Sequence, residues 1–400
     1  MGWYAHRLQL IFYFIMQNKL SLNSSQHRQD FVEVLCTQGN HFVNNAPFQV
    51  TSTEINNEKV PVIWNTSNNP QTSWIASLLN SYGPYARAEL ELIHTPKYLR
   101  LFFAGLSYIA QLSMQMSGLG SGIFLDHWFL ATNIYPSNRT TNDILLAVKN
   151  LIKEAADKNL NNLPIIIRSL TPIFHADMIN ELQQNGFLLI PTRQVWIASN
   201  LHEPSWRRHA DVKRDLRLEK KYTSQSQWVA GTDFSDDDFE RALFLYNQLY
   251  RKKYPPYNPD YSVDFFKTAV QTGFIQFYGL RLVNHSDTSS KNPLSGFVGL
   301  TRRENQFATL ILGYDLELPI QYGLYRRLML KAFLETEKHR GILHCSAGAG
   351  NFKAQRGAQF YPEFAAIWMQ HLPGYRQSIF KTLNKIINTF ITPYATKKQF

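Results

Sequence analysis

Three short stretches in the last quarter of the chain carry residues whose types and spacing can do chemistry. The first is Gln321, Tyr322, Gly323, Leu324, Tyr325, Arg326 and Arg327, just after Pro319. Helix N-termini ordinarily gather Asp or Glu in their first turn, because the free N–H groups and the dipole favour negative charge there. No acid occurs from Gln321 to Leu334. Instead a glycine permits close backbone approach and two arginines flank the turn, a composition suited to an anion supplied by a ligand. The second stretch is His344, Cys345, Ser346, Ala347, Gly348, Ala349 and Gly350. A nucleophile elbow needs glycine two residues before its serine, and His344 stands there, which argues against a hydrolase. Alternation along Ile342–Ala347 turns Cys345 inward as a core residue. The third is Phe352 and Lys353, with Arg356 beyond them. An ammonium in a short helix behind two glycines could reach a developing oxyanion or a ligand phosphate.

These residues need a frame to place them, and the apolar pattern supplies one. From Phe307 to Trp368 the order is strand, helix, strand, short helix, strand; GFVGLTRR and FATLILGYD form a hairpin, and the helix from about Tyr322 closes on Lys338, His339, Arg340 and Gly341. The same order is expected over residues 122 to 198: GIFLDHW and FLATNIY as paired strands, a helix opened by Thr140 or Thr141, LPIIIRS as a buried strand, HADMINELQQNG as a helix closed by Gly186, then FLLIPTRQVWIAS. The helix of this first copy starts with an acid and no glycine, so only the second is composed for an anion. Between the copies, Arg207–Lys221 holds seven Lys or Arg against three acids at helical spacing. Lys213, Arg217 and Lys221 share one face; Asp211, Asp215 and Glu219 share a neighbouring one. That helix is either a solvated, salt-bridged linker or a phosphate-contacting face.

Length and charge bound the rest. A chain of 400 residues is expected to form two domains, with residues 1–60 as an N-terminal arm or peripheral elements, 61–205 and 206–370 as the domains, and 371–400 as a closing helix. Hydrophobic residues at 44% provide for buried cores, and 41 Lys and Arg against 30 Asp and Glu favour an anionic partner. The two cysteines suggest a reducing compartment, and no metal-ligand cluster stands out among the 12 histidines. The apolar run near the start is too short to span a membrane, so a cytoplasmic protein without integral membrane insertion is expected. Lys97–Met116 reads as an amphipathic or buried helix.

With its second half written as α, α, β, β, β, α, β, α, β, the chain resembles the GNAT acyltransferase fold, and its doubling is similar to FemABX-type and CelD-like N-acyltransferases. The resemblance rests on DVKRDLR at the junction, LGYD at a strand end, YGLYRRLM opening a helix, and SAGAGNFKAQRG with its Phe-Lys pair. It implies an α/β protein of mixed sheets in two tandem GNAT-like domains, the first degenerate and on the acceptor side. The implied activity is transfer of an acyl group to an amine, from acyl-CoA or, alternatively, from aminoacyl-tRNA. Either donor is a co-substrate, with no permanently bound cofactor. Lys353, by the Phe-Lys resemblance, and the backbone N–H groups of Leu312 and Gly313 would stabilise the oxyanion. Gly323, Leu324, Tyr325, Arg326 and Arg327 would hold the donor, Tyr314, Ser346 and Arg356 would line the substrate, and Asp315 and His344 are both candidates for the base. A non-catalytic binding protein on the same fold is the reading outside the enzyme class.

Overall fold

The computed structural model describes residues 24–92, 96–253, 256–283 and 292–392. The apolar run near the start lies outside them. In chain order the elements are α1 (Ser24–Gln38), β1 (Gln49–Ile55), β2 (Glu58–Asn65), α2 (Leu78–Tyr82), α3 (Pro84–Leu92), α4 (Lys97–Met116), β3 (Gly122–Leu125), α5 (Thr141–Asp157), β4 (Ile165–Leu170), α6 (Pro172–Gln184) and β5 (Leu188–Ala198). The second half adds α7 (Ala210–Tyr222), β6 (Ser226–Ala230), α8 (Asp236–Asn247), α9 (Val263–Gln271), β7 (Gln276–Leu282), β8 (Gly296–Arg303), β9 (Gln306–Tyr314), α10 (Leu324–Lys338), β10 (Ile342–His344), α11 (Gly350–Ala354), β11 (Gln359–Trp368) and α12 (Gly374–Ile386).

Among the described residues eleven strands join one mixed sheet, ordered β1-β2-β3-β4-β11-β5-β10-β9-β8-β7-β6. Reading outward from the central antiparallel pair β11 and β5, each side meets first an antiparallel neighbour, β4 or β10, and then a parallel one, β3 or β9. The sheet is therefore close to a palindrome, with β2 and β3, rather than two strands within residues 122–135, in the places that β8 and β9 hold in the second half. The last strand of each half lies across the midline: β5 sits between β11 and β10, and β11 between β4 and β5.

Local sequence explains most element ends. Ser235 closes a capping box with Asp238 at the start of α8, Ser262 caps α9, and Thr140 accepts from the Asp143 amide to open α5. Ser24–Gln38 is a helix with Phe31, Val32 and Leu35 in the core, where Phe31 stacks on Phe274 at 4.2 Å. Burying those three side chains is worth roughly 5–9 kcal/mol before ordering entropy is set against it.

One expected strand is absent. Phe129–Tyr135 is irregular, and β3 is flanked instead by β2 and β4. Asp126 and Phe129 take left-handed backbone angles, φ 53° and 56°, and fold the segment back so that Trp128, Phe129 and Leu130 enter the core. Asp126 accepts from Trp128 Nε1 at 2.7 Å and pairs with Arg139 at 2.8 Å, fixing that reversal. Apolar alternation thus marked core contacts of a loop rather than a strand.

Candidate active site

Pairing between β9 and β10 stops early. Gln306–Ala308 lie beside Ile342–His344, after which β9 runs on to Tyr314 while the other strand bends away. The bend is held by Cys345 N donating to Trp196 O at 2.8 Å and Trp196 N donating to Ser346 O at 3.1 Å, both toward β5. A notch results at the carboxyl end of two parallel strands, the end where α/β sheets place their ligands. On the other edge of β9, Gly299 faces Ile311 and Leu300 faces Thr309, so Leu310 is the extra residue of a bulge. Asp315 N donates to Ser295 O on the β8 side. Strand alternation turns the Gly313 N–H the same way and the Leu312 N–H the opposite way, into the notch. Gly313 is a glycine for packing: a Cβ there would lie 2.6 Å from the Tyr246 amide nitrogen of α8.

Helix α10 starts beside the notch. Gly323 is its N-cap, left-handed at φ 56°, and no side chain caps the first turn. A Cβ on Gly323 would meet Leu218 of α7 at 2.5 Å, so helix packing also asks for glycine here. The missing acids come from α7. Asp215, 1% exposed, takes Arg326 Nε and Arg356 Nε at 2.6 Å each, while Glu219 takes Arg327 Nε at 2.6 Å. Arg327 is wholly buried and Leu324 is in the core, so both pack rather than face solvent. Arg326 keeps 39% of its side chain exposed, and three guanidinium groups meet two carboxylates here. The first-turn amides and Arg326 remain as the part of the expected donor set that faces outward. The equivalent helix of the first half, α5, has both its Thr140 cap and Asp143 in the first turn.

Rings from three elements gather at the same end. Tyr325 lies 6.1 Å from Tyr314 and 4.8 Å from Phe352, and Arg356 covers Phe352 at 3.5 Å. Arg356 is buried, bonded also to the Phe352 carbonyl at 2.7 Å. Asp315 pairs with Arg241 at 2.6 Å and accepts from Glu317 N.

After β10 the chain makes a tight turn through Ser346, Gly348 and Ala349, all at positive φ, into α11. Lys353 reaches back under it, 3% exposed, and Nζ donates to Ser346 O at 3.2 Å and Ala347 O at 2.8 Å. An ammonium has three donors, so one remains. Burial brings the Lys353 pKa down to about 8.

His344 accepts from Ser346 N at its Nδ1, 3.1 Å, so the neutral ring carries its proton on Nε2. That N–H has no hydrogen-bond partner and lies 4.0 Å from Glu363 Oε2. Burial drives the ring pKa down to about 3, which makes it a poor base and a good neutral donor. Glu363 is fully buried; burial alone would raise its carboxyl, but the Arg193 fork at 2.9 Å on both oxygens holds it below the usual range. Arg193 also donates to Ala131 O and Thr132 Oγ1 at 2.9 Å and lies over Trp74 at 5.1 Å.

No protein-family model and no curated protein matches the chain. Among solved structures it is similar to FemX, at 9% identity and TM-score 0.49 over 91% of this chain and 99% of that one. It is also similar to L-PGS from Bacillus licheniformis, at 11% identity and TM-score 0.43 over 62% and 80%. A third is a tandem GNAT protein from the clavulanic acid biosynthesis pathway, at 11% identity and TM-score 0.34 over 63% and 76%.

The central cluster contains residues that spacing arguments did not select. Tyr85 of α3 stacks on Trp74 at 5.1 Å, and Glu89, one turn later, feels both Tyr85 and Arg193. Burial nevertheless pushes the Glu89 carboxyl up, the direction that suits a proton acceptor near neutrality. A signal for part of this existed: Arg193 and Glu363 are lone opposite charges within apolar strands, at directly paired positions.

Proposed function

We propose that this chain is an N-acyltransferase of twin GNAT-like architecture, using acyl-CoA as an anionic donor and an amine as acceptor. The observation that carries the reading is the notch between β9 and β10 beside an uncapped fifteen-residue helix, present in the second half while the equivalent helix of the first is capped. Donor phosphates would meet the first-turn amides from Leu324 to Arg326 and the exposed part of Arg326. The thioester carbonyl would lie in the notch against the Leu312 N–H and the remaining Lys353 donor, with Tyr314, Tyr325 and Ser346 around it. Glu89 takes one proton from the acceptor ammonium; the amine nitrogen bonds to the carbonyl carbon, the carbon–sulfur bond breaks, and the leaving thiolate takes the nitrogen's second proton and departs as the thiol. Asp315, held by Arg241, and His344, neutral and donor-like, position the site in this scheme.

A second reading is favoured by one observation: Lys213, Arg217 and Lys221 are exposed on α7 while Asp215 and Glu219 turn toward α10. An aminoacyl-tRNA donor would find a phosphate-contacting face there. The test is mass spectrometry of ligands retained by the purified protein, followed by thiol release from acyl-CoA with an amine mixture. Retained CoA and amine-dependent thiol release that Lys353→Met lowers support the reading. Binding of an anion without turnover in wild type and variant alike would leave a non-catalytic binding protein, and salt-steep RNA binding lost on charge removal at Lys213 and Arg217 would favour tRNA.

A further inference from the structure

Helix α4 has two apolar faces. Phe103, Ser107 and Met114 turn into the body of the protein. On the opposite side Tyr98, Leu101, Phe102, Tyr108, Ile109 and Leu112 are 41–71% exposed, forming one continuous stripe at helical spacing. Isolated exposed apolar residues are ordinary, but a contiguous stripe along a twenty-residue helix is not. We infer that this stripe is a two-fold interface, at which α4 pairs antiparallel with α4 of a second copy of this chain.

The occupant follows from the spacing. Gly105 lies in the middle of the stripe, exposed, and a Cβ there would meet nothing within 4 Å. Glycine in a helix interior costs about 1 kcal/mol relative to alanine, and among the described residues no contact requires it. A helix crossing closely at that point does. About Gly105 the stripe is symmetric: Phe102 and Tyr108 lie three residues to either side, Leu101 and Ile109 four, Tyr98 and Leu112 seven. A two-fold axis through Gly105 therefore sets Phe102 against Tyr108, Leu101 against Ile109 and Tyr98 against Leu112 of the partner. The same operation sets Lys97 opposite Ser113 and Arg100 opposite Ala110, so no like charges meet.

Area agrees. Counting roughly 200 Å² for a large apolar side chain, the exposed fractions together with Met116 and Phe390 at the rim come to about 900 Å² per chain, within the range of a standard stable interface. Phe390 lies 5.9 Å from Phe102, edge to face, and so extends the patch onto the C-terminal segment. A lipid surface is the less fitting occupant. The polar residues of α4 include Gln111, Ser113 and Gln115, and Lys97 and Arg100 are its only charges, both near one end, whereas interfacial helices carry a basic polar face.

Sedimentation equilibrium of the full chain at low micromolar concentration tests this. The expected mass is twice the 46.4 kDa of one chain, and Ile109→Glu, which places a carboxylate against Leu101 twice per dimer, weakens association by about 100-fold or more with the fold retained by circular dichroism. In a Cys36→Ser background, Phe102→Cys combined with Tyr108→Cys sets a thiol of one copy against a thiol of the other on each side of the axis, and mild oxidation gives a covalent dimer. A monomer at all concentrations, a dimer unaffected by Ile109→Glu, or thiols at 102 and 108 that never couple within the dimer would overturn the inference. So would a monomer that floats with phosphatidylcholine–phosphatidylglycerol vesicles and loses this on Ile109→Glu, since the stripe would then face lipid.

Discussion

Replacing Lys353 with methionine separates what its ammonium costs from what it does. Burial lowers the pKa from the usual 10.5 to about 8, so between those values the unfolded chain binds more protons than the folded one. Stability contributed through this group therefore rises with pH across that window; below about pH 8 the buried charge weighs against folding by about 3 kcal/mol. Against this stand the bonds to Ser346 O and Ala347 O, charge-assisted and about 1.5–3 kcal/mol each. At pH 7 the bonds offset the burial cost or exceed it modestly, so Lys353→Met should change stability by no more than about 3 kcal/mol. The informative quantity is the difference between wild type and variant in urea unfolding, followed from pH 7 to 10.5. It should drift by about 3 kcal/mol in favour of wild type, other titrations cancelling. On the same samples kcat/KM should fall by about 100-fold or more in the variant, the scale for losing one oxyanion donor. A difference flat in pH would mean that the ammonium is solvated. A pH-dependent difference with undiminished turnover would leave Lys353 as a strut of the turn and nothing more.

Glu89→Gln should lower kcat/KM by about 100-fold and remove the acidic limb of the pH–rate profile, with thermal stability unchanged or slightly higher, because burial already disfavours this carboxylate. Glu363→Gln should cost about 3–5 kcal/mol in urea unfolding at pH 7 by leaving Arg193 buried without its partner. Its folded pKa lies below the ordinary 4.5, so the wild-type advantage is complete above that value and fades as pH falls through the folded one; the variant should lack this acid sensitivity. Asp215→Asn removes the carboxylate shared by Arg326 and Arg356 and should lower stability by about 3–5 kcal/mol, read as a shift in the urea midpoint.

Much of the secondary structure was legible because burial writes itself into local pattern. Ile165–Leu170 is buried on both faces and opens with the apolar run Ile165–Ile167, and Ser235 and Ser262 open helices that the hydroxyl and the following acids announce. Phe129–Tyr135 misled because a loop folded into the core carries as many apolar residues as a strand. The acid-free start at Gln321 suggested a ligand's charge, but the acids answering Arg326 and Arg327 stand more than one hundred residues earlier in sequence, on α7. Compensation at that range has no local trace. The Arg193–Glu363 pair had one, as lone charges in apolar strands, yet only the strand order makes them neighbours. Glu89 left no mark in sequence, since its burial beside Tyr85 and Arg193 comes from what α3 packs against.

The crossing of β5 and β11 bears on how the molecule is made. A ribosome delivering the chain from its N-terminus releases β4 and β5 long before β11, the strand that lies between them, has been synthesised. Until Gln359–Trp368 emerges, the inner edge of each half is an unpaired strand, open to wrong partners. Neither half should therefore survive as an isolated fragment. A nascent chain arrested before β11 should remain protease-sensitive in both halves, and become resistant in both together once that one strand is released.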